Sequence, residues 1–308
     1  MDRNLLLALR LLDWPNDEME DRPTYWQIAK HLDIPYKVIK KKIEKLYTVG
    51  VLSGTNIVPD VSLFDLTRTA VYISADKEVI YKIQSCFSSL DSIMYFHRFG
   101  FSSDSAIIEI VHYDDEHLAT QLSLLSKVSG PFIVHQMHNY TCNSKYELDT
   151  KDLLIMKALM SDPMMSKNKI HSLTGLGERA IDRRIHNMAY NRAIKIEHVI
   201  NSYNSSSPLF CIASITYNGN YKEEIKEKAM DILRDNYVFV KDNFYGTLLI
   251  LFAVENFQEM NNIYLQLKQE MKRGEVTLVH PFESKYLFPR IIKEKINSTL
   301  RSGKLLAK

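Results

Sequence analysis

Residues 24–58 read TYWQIAKHLDIPYKVIKKKIEKLYTVGVLSGTNIV, and their spacing decides the fold. Thr24 and Gln27 form a capping pair that marks a helix start. Ile28, Ala29 and Leu32 then supply one short apolar face, which Asp33-Ile34-Pro35 interrupts. Proline suits the first position of a new helix, where its missing N–H costs nothing. From Tyr36 onward, Ile39, Ile43 and Leu46 fall at i, i+4, i+7, the stripe of a buried helix face. Gly50 ends that helix, and Val51, Leu52, Ile57 and Val58 predict two short strands around Ser53-Gly54-Thr55-Asn56. Helix, tight turn, longer helix, hairpin is a winged helix-turn-helix.

The solvent side of the longer helix is basic. Lys37, Lys40, Lys41, Lys42 and Lys45 surround the stripe against Glu44 alone, a net +4 over residues 37–45. A helix entering a DNA major groove needs cations for phosphates and a few side chains at its N-terminal end for base edges. Tyr36, Lys37, Lys40 and Lys41 occupy that end. A lysine run alone is usually a solvated face; the turn before it and the wing after it favour double-stranded DNA as partner.

The other helix-turn-helix signals lie outward from this stretch. Leu5, Leu6, Leu9 and Leu12 form one face of an N-terminal helix, separated from Thr24 by an acidic loop. After the wing the periodicity becomes strand (70–75), helix (78–90), strand (92–99), strand (106–112), helix (114–128) and strand (132–140). This β-α-β-β-α-β order predicts a four-stranded antiparallel sheet with two helices on one face, a ferredoxin-like domain. The pattern then begins again. With a shift of 142 residues, Ile39-x-Lys41-Lys42-Ile43 falls on Ile181-x-Arg183-Arg184-Ile185, Leu46 on Met188 and Leu52 on Ile194. A second β-α-β-β-α-β follows from Phe210 to Pro281. The expected fold is α+β, two tandem repeats of winged helix-turn-helix plus ferredoxin-like domain. The expected boundaries are 1–60, 61–145, 146–203 and 204–288, with a frayed basic tail over 289–308.

The chain has 308 residues, 45% hydrophobic and 25% charged, with a net charge of +2, so any nucleic-acid footprint must be local. Cys86, Cys142 and Cys211 lie far apart with no CxxC, which suits a reducing compartment. No apolar run reaches membrane-spanning length and no signal peptide opens the chain, so a cytoplasmic location is expected.

The tandem resembles the leucine-responsive regulatory protein/AsnC (feast/famine) family of prokaryotic transcription regulators. The resemblance rests on the turn, on Ile39-x-Lys-Lys-Ile43-x-x-Leu46-x-x-x-Gly50-Val51-Leu52, on Gly100 with Asp104 between two strands, and on Asp114-Asp115-Glu116 opening a leucine helix that ends at Gly130. It implies a DNA-binding regulator, with an amino-acid effector near Gly100 and Asp104 and a homodimeric assembly. The family has one unit per chain; here two are fused, so the two ferredoxin-like halves are expected to pack on each other as a pseudo-dimer. The second half has Asn243 and Gly246 in place of the Gly–Asp pair.

The DNA-contacting set expected from both halves is Tyr36, Lys37, Lys40, Lys41, Lys42, Lys45, Arg179, Arg183 and Arg184. The second reader is weaker, a net +2 over 179–187, with Glu178 in the place of Tyr36 and Asp182 in that of Lys40. No cofactor, metal or catalytic residue is expected. Strict alternation sends His135 and His138 to opposite faces of their strand, which disfavours a metal site. One rival reading belongs to the enzyme class. Siroheme decarboxylases resemble the same regulators, sometimes as two fused copies, and His97, His112, His135 and His138 keep that reading open.

Overall fold

The capping pair closes as its sequence requires. Thr24 Oγ1 accepts the Gln27 N–H at 3.3 Å, and Gln27 Oε1 accepts the Thr24 N–H at 2.8 Å. Helix α1 spans Arg3–Leu12, α2 Tyr25–His31 and α3 Tyr36–Thr48. Ile39, Ile43 and Leu46 of α3 are buried. Gly50 follows with φ 75°, the left-handed conformation that glycine adopts without steric cost. This computed structural model describes residues 3–12, 24–99, 104–140, 144–163, 165–202, 208–217, 219–243, 247–280 and 282–302. The acidic loop before Thr24 lies outside them.

The first half continues with β1 (Leu52–Pro59), β2 (Thr67–Ser74), α4 (Lys77–Cys86), β3 (Ile93–Phe99), β4 (Ser105–His112), α5 (Asp115–Ser129) and β5 (Ile133–Tyr140). The second comprises α6 (Thr150–Ser161), α7 (Lys167–Thr174), α8 (Glu178–Tyr190), β6 (Ile194–Ile200), β7 (Leu209–Tyr217), α9 (Lys222–Leu233), β8 (Tyr237–Asn243), β9 (Thr247–Val254), α10 (Phe257–Glu270) and β10 (Gly274–Val279). Strand β11 (Phe282–Tyr286) and helix α11 (Arg290–Ser302) close the described chain. The strands form sheets of order β11-β3-β4-β2-β5 and β10-β7-β9-β8, plus a ribbon β1-β6. Left-handed backbone recurs at Asp33 and Gly175, and at Gly50 and Arg192, each pair 142 residues apart. The two units thus share their turn geometry even where the residue types differ. No described helix is long and apolar enough to cross a membrane.

Three features differ from expectation. Leu52–Pro59 is one continuous strand, not a hairpin: β1 pairs antiparallel with β6, Ile57 opposite Ile196. Gly54, read as part of a turn, instead sits at a register shift in the ribbon, a common role for a strand glycine. The wing of each unit is therefore one strand of a shared ribbon. Of the residues expected as a frayed tail, 290–302 form α11, because Ile291, Ile292 and Ile296 bury one face among its lysines, and 303–308 lie outside the described residues. Strand β11 was not anticipated; it adds the second half's chain to the first half's sheet, Phe282 opposite Phe99 and Tyr286 opposite Tyr95.

The halves interlock crosswise rather than simply sheet on sheet. Leu5, Leu6, Leu9 and Leu12 of α1 share one core with Phe210, Val238, Leu251 and Phe282 of the second half. Arg10 Nε donates to the Tyr237 carbonyl at 2.7 Å across the same junction. Conversely, Leu153, Met156 and Leu159 of α6 share a core with Met94, Tyr95 and Val111 of the first half. Each helix-turn-helix thus rests on the other half's elements.

One buried serine fastens β11. Ser202 Oγ accepts the Phe282 N–H at 2.6 Å and donates to the Phe282 carbonyl at 3.1 Å. At the matching position of the first half, Asp60 Oδ2 accepts the Ser144 N–H at 3.0 Å. Ser202→Ala leaves the Phe282 N–H without its acceptor, and the expected loss is about 1–3 kcal/mol of unfolding free energy. Urea titration reads it; an unchanged midpoint would show that the serine does not hold the strand.

Candidate functional site

Helix α3 presents its cations because its stripe is anchored from within. Ile39 and Ile43 are completely buried, which fixes the helix roll and turns Lys37, Lys41 and Lys45 into solvent. Tyr36 is 41% exposed at the first helical position, and Val38 beside it 38%. Lys40 and Lys42 are half-buried. Lys40 Nζ lies 3.6 Å from Glu44, an exposed i,i+4 pair worth a few tenths of a kcal/mol. The α2 helix adds Lys30, whose ammonium lies 5.5 Å from the centre of the exposed Trp26 ring. Of the side chains expected at the N-terminal end of α3, Tyr36, Lys37 and Lys41 are exposed and Lys40 is half-buried.

The matching helix α8 is arranged differently. Arg184 Nη1 lies 2.7 Å from both Asp149 Oδ2 and Asp152 Oδ1. Those two carboxylates form the capping box of α6, so Arg184 neutralises the start of a neighbouring helix. Asp182 pairs with Lys167 of α7. Arg179 and Arg183 are exposed. Of the three arginines expected on the second reader, two are presented. The signal that would have placed Arg184 was Asp149-Thr-Lys-Asp152, an acidic capping pair beginning a helix.

The Asp149 carboxyl is held below its ordinary 3.8; burial opposes this, and hydrogen bonds from the Asp152 N–H and Arg184 outweigh it. A depressed carboxylate pKa contributes stability above its unfolded value, and that contribution disappears as pH falls through the folded value. Arg184→Ala should flatten this acid-side loss of stability while leaving duplex affinity unchanged. A pH series of thermal unfolding with parallel gel shifts checks both; a large affinity loss would restore Arg184 to the DNA surface.

Gly100 of the expected effector pair lies outside the described residues. Asp104 is exposed just before β4, and its carbonyl accepts the Ala75 N–H at 3.0 Å.

The histidines divide in a way that alternation did not foresee. A register shift in the β2–β5 pairing between Tyr72 and Ile73 resets the strand. His138 lies opposite Ala70, while His135 Nε2 is 2.6 Å from Ser74 Oγ and its ring 5.4 Å from that of Tyr72. Both therefore share the face of Ala70, Tyr72 and Ser74, contrary to the expected opposite faces. Burial pushes His138 below its ordinary value. His97 joins this face, with Nδ1 2.9 Å from Ser284 Oγ and Nε2 3.8 Å from Glu109. His112 is buried elsewhere, with Nε2 2.7 Å from Thr69 Oγ1; burial also lowers its pKa, although the Asp114 carbonyl opposes this.

The centre of the face is a buried polar network. Glu109 accepts Arg68 Nε at 2.7 Å and the Tyr140 hydroxyl at 2.8 Å. Tyr95 donates to Glu197 of β6 at 2.6 Å, and Tyr286 donates to the Ile57 carbonyl of β1 at 2.6 Å. Burial disfavours the Arg68 cation, but Glu109 opposes this and holds it charged. Burial raises the Tyr95 and Tyr140 hydroxyls, and Glu197 and Glu109 respectively raise them further. The Tyr95 and Tyr286 bonds join the five-stranded sheet to the ribbon; periodicity carried no signal for this network, whose bonds span 31 to 229 residues.

No protein-family model matches the chain, and no curated protein matches it. Among solved structures, the siroheme decarboxylase NirDL overlays 98% of this chain and 98% of its own, with 11% identity and a TM-score of 0.51. The same enzyme in complex with an iron-uroporphyrin III analogue gives 10% identity, 97% and 98% coverage and a TM-score of 0.51. The full-length likeness is to an enzyme. It supports the tandem fold and overturns the expectation of a non-enzyme: this architecture carries catalysis in at least one protein. An AsnC family transcriptional regulator from Agrobacterium tumefaciens overlays 47% of this chain and 94% of its own, with 16% identity and a TM-score of 0.32.

Proposed function

We propose that the chain binds double-stranded DNA through α3 and acts as a transcription regulator of the feast/famine type. The observation that carries this reading is the exposed Tyr36, Lys37, Lys41 and Lys45 surface on a helix whose roll is fixed by buried Ile39 and Ile43. Phosphate neutralisation by those lysines supplies affinity, and Tyr36 and Lys37, at the helix N-terminus, reach base edges. Arg179 and Arg183 of α8 add a weaker second contact. Selection of duplexes from a random pool tests it. The expected result is enrichment of a short motif that Tyr36→Ala relaxes; a pool that stays random through successive rounds contradicts it.

A second reading is a tetrapyrrole enzyme of the siroheme-decarboxylase type. It is favoured by the full-length fold likeness and by His97, His135 and His138 sharing one sheet face. Imidazoles suit an iron tetrapyrrole substrate, whereas Arg68, the nearest candidate for a carboxylate of such a substrate, is engaged by Glu109. Titration with an iron tetrapyrrole separates the readings: a saturable shift of its main absorbance band, lost in His135→Ala/His138→Ala, favours the enzyme.

A further inference from the structure

One edge of the five-stranded sheet is β5, and it lacks the devices that guard the other edges. An edge strand offers a row of backbone N–H and C=O groups, and proteins blunt such edges with charge, proline or a covering element. The eight residues of β5, IVHQMHNY, include no Lys, Arg, Asp, Glu or Pro. By contrast β10 carries Glu275, β11 carries Glu283 and Lys285, and the β8 sequence includes Lys241 and Asp242 with α1 packed against the strand. Apolar side chains on both faces of β5 are exposed as well: Ile133 is 64% exposed, Met137 51% and Val134 38%. Among the described residues no strand lies beside its outer side.

We propose that β5 pairs antiparallel with β5 of a second copy of this chain, joining the two five-stranded sheets edge to edge. Two features select a second copy as the occupant. The strand bears no formal charge, so a two-fold pairing sets no like charges opposite each other. The fold also already makes this kind of joint, since β1 and β6, equivalent strands of the two units, pair antiparallel about a local two-fold. The register follows from the irregularity at Tyr72/Ile73. Val134 lies opposite Ile73 and Met137 opposite Val71, so both face the helix side of the sheet. A two-fold between residues 135 and 136 sets Val134 against the partner's Met137 and Ile133 against the partner's His138. Two apolar pairs then cover side chains that are otherwise exposed. Resting on the DNA reading, the dimer also supplies two α3 readers, one from each copy, as a two-fold operator requires.

Sedimentation equilibrium on the full chain, 35.8 kDa as a monomer, tests the interface. The expected species is a dimer. Met137→Lys should raise its dissociation constant about tenfold or more. In this register Val134→Glu/Met137→Lys sets a carboxylate opposite each lysine and should restore association. The substituted positions are solvent-exposed, and circular dichroism melting confirms that each variant folds. A wild-type chain that stays monomeric overturns the proposal, as does a dimer that Met137→Lys leaves intact; failure of the double variant to recover overturns the register. A monomer that still binds duplex with a lysine-dependent salt slope overturns this interface and leaves the DNA reading standing.

Discussion

Lys41→Ala/Lys45→Ala should weaken duplex binding and flatten its dependence on salt. Each phosphate contact releases condensed counterions, and its loss lowers the magnitude of the log–log salt slope by about 0.9. Two lost contacts therefore remove about 1.8 from the slope. Both side chains are exposed on the solvent face of α3, so folding stability should stay within about 0.5 kcal/mol of wild type. Arg179→Ala/Arg183→Ala provides the comparison. Its helix has lost Arg184 to Asp149 and Asp152 and has Asp182 beside the remaining cations, so its effect on the slope should be smaller. Fluorescence anisotropy with a labelled duplex at several salt concentrations measures all three proteins. Equal slopes for the wild type and the lysine variant would remove α3 as the DNA-contacting helix.

Glu109→Ala should be among the most destabilising single substitutions. The carboxylate is 5% exposed and holds Arg68 and Tyr140 together. Removing it deprives a buried guanidinium of its hydrogen-bonded counter-charge and leaves only the weaker influence of Glu197, a loss of about 3–5 kcal/mol. Replacing both partners is different, because an apolar pair of similar volume removes the uncompensated charge along with the attraction. Arg68→Met/Glu109→Leu should therefore be closer to wild type than either single charge deletion. Guanidinium unfolding of the four proteins gives the cycle. A Glu109→Ala loss under about 1 kcal/mol would show that water or rearrangement replaces the carboxylate. The same network joins the five-stranded sheet to the ribbon through Tyr95 and Glu197. The destabilised variant should therefore also lose amide-exchange protection in β1 and β6.

The helices and their caps were legible because their determinants are local. Thr24 with Gln27 and the Ile39, Ile43, Leu46 stripe lie within one or a few turns, and each formed as its spacing required. The repeat was legible because the same local signals recur. Pairings between distant strands were not. Nothing in Leu52–Pro59 distinguishes a hairpin from one strand of a ribbon whose other strand begins at Ile194. Gly54 fits both. His135 and His138 were separated by alternation, which holds only while register is unbroken, and the shift between Tyr72 and Ile73 broke it. Arg184 shows a different limit. A basic residue on a reader helix is indistinguishable in sequence from one that neutralises a neighbouring helix start, unless the acidic pair at Asp149 and Asp152 is weighed with it. Helix α11 was obscured by its lysines, although Ile291, Ile292 and Ile296 mark the face that it buries.

The measurement that tests the DNA reading most directly is the affinity of the unmodified chain for a duplex of arbitrary sequence, followed between about 50 and 200 mM salt. Saturable binding at the low end that weakens steeply and log-linearly toward the high end is the predicted result. Absence of saturable binding at the low end, or binding indifferent to salt, would contradict the proposal that α3 grips phosphates.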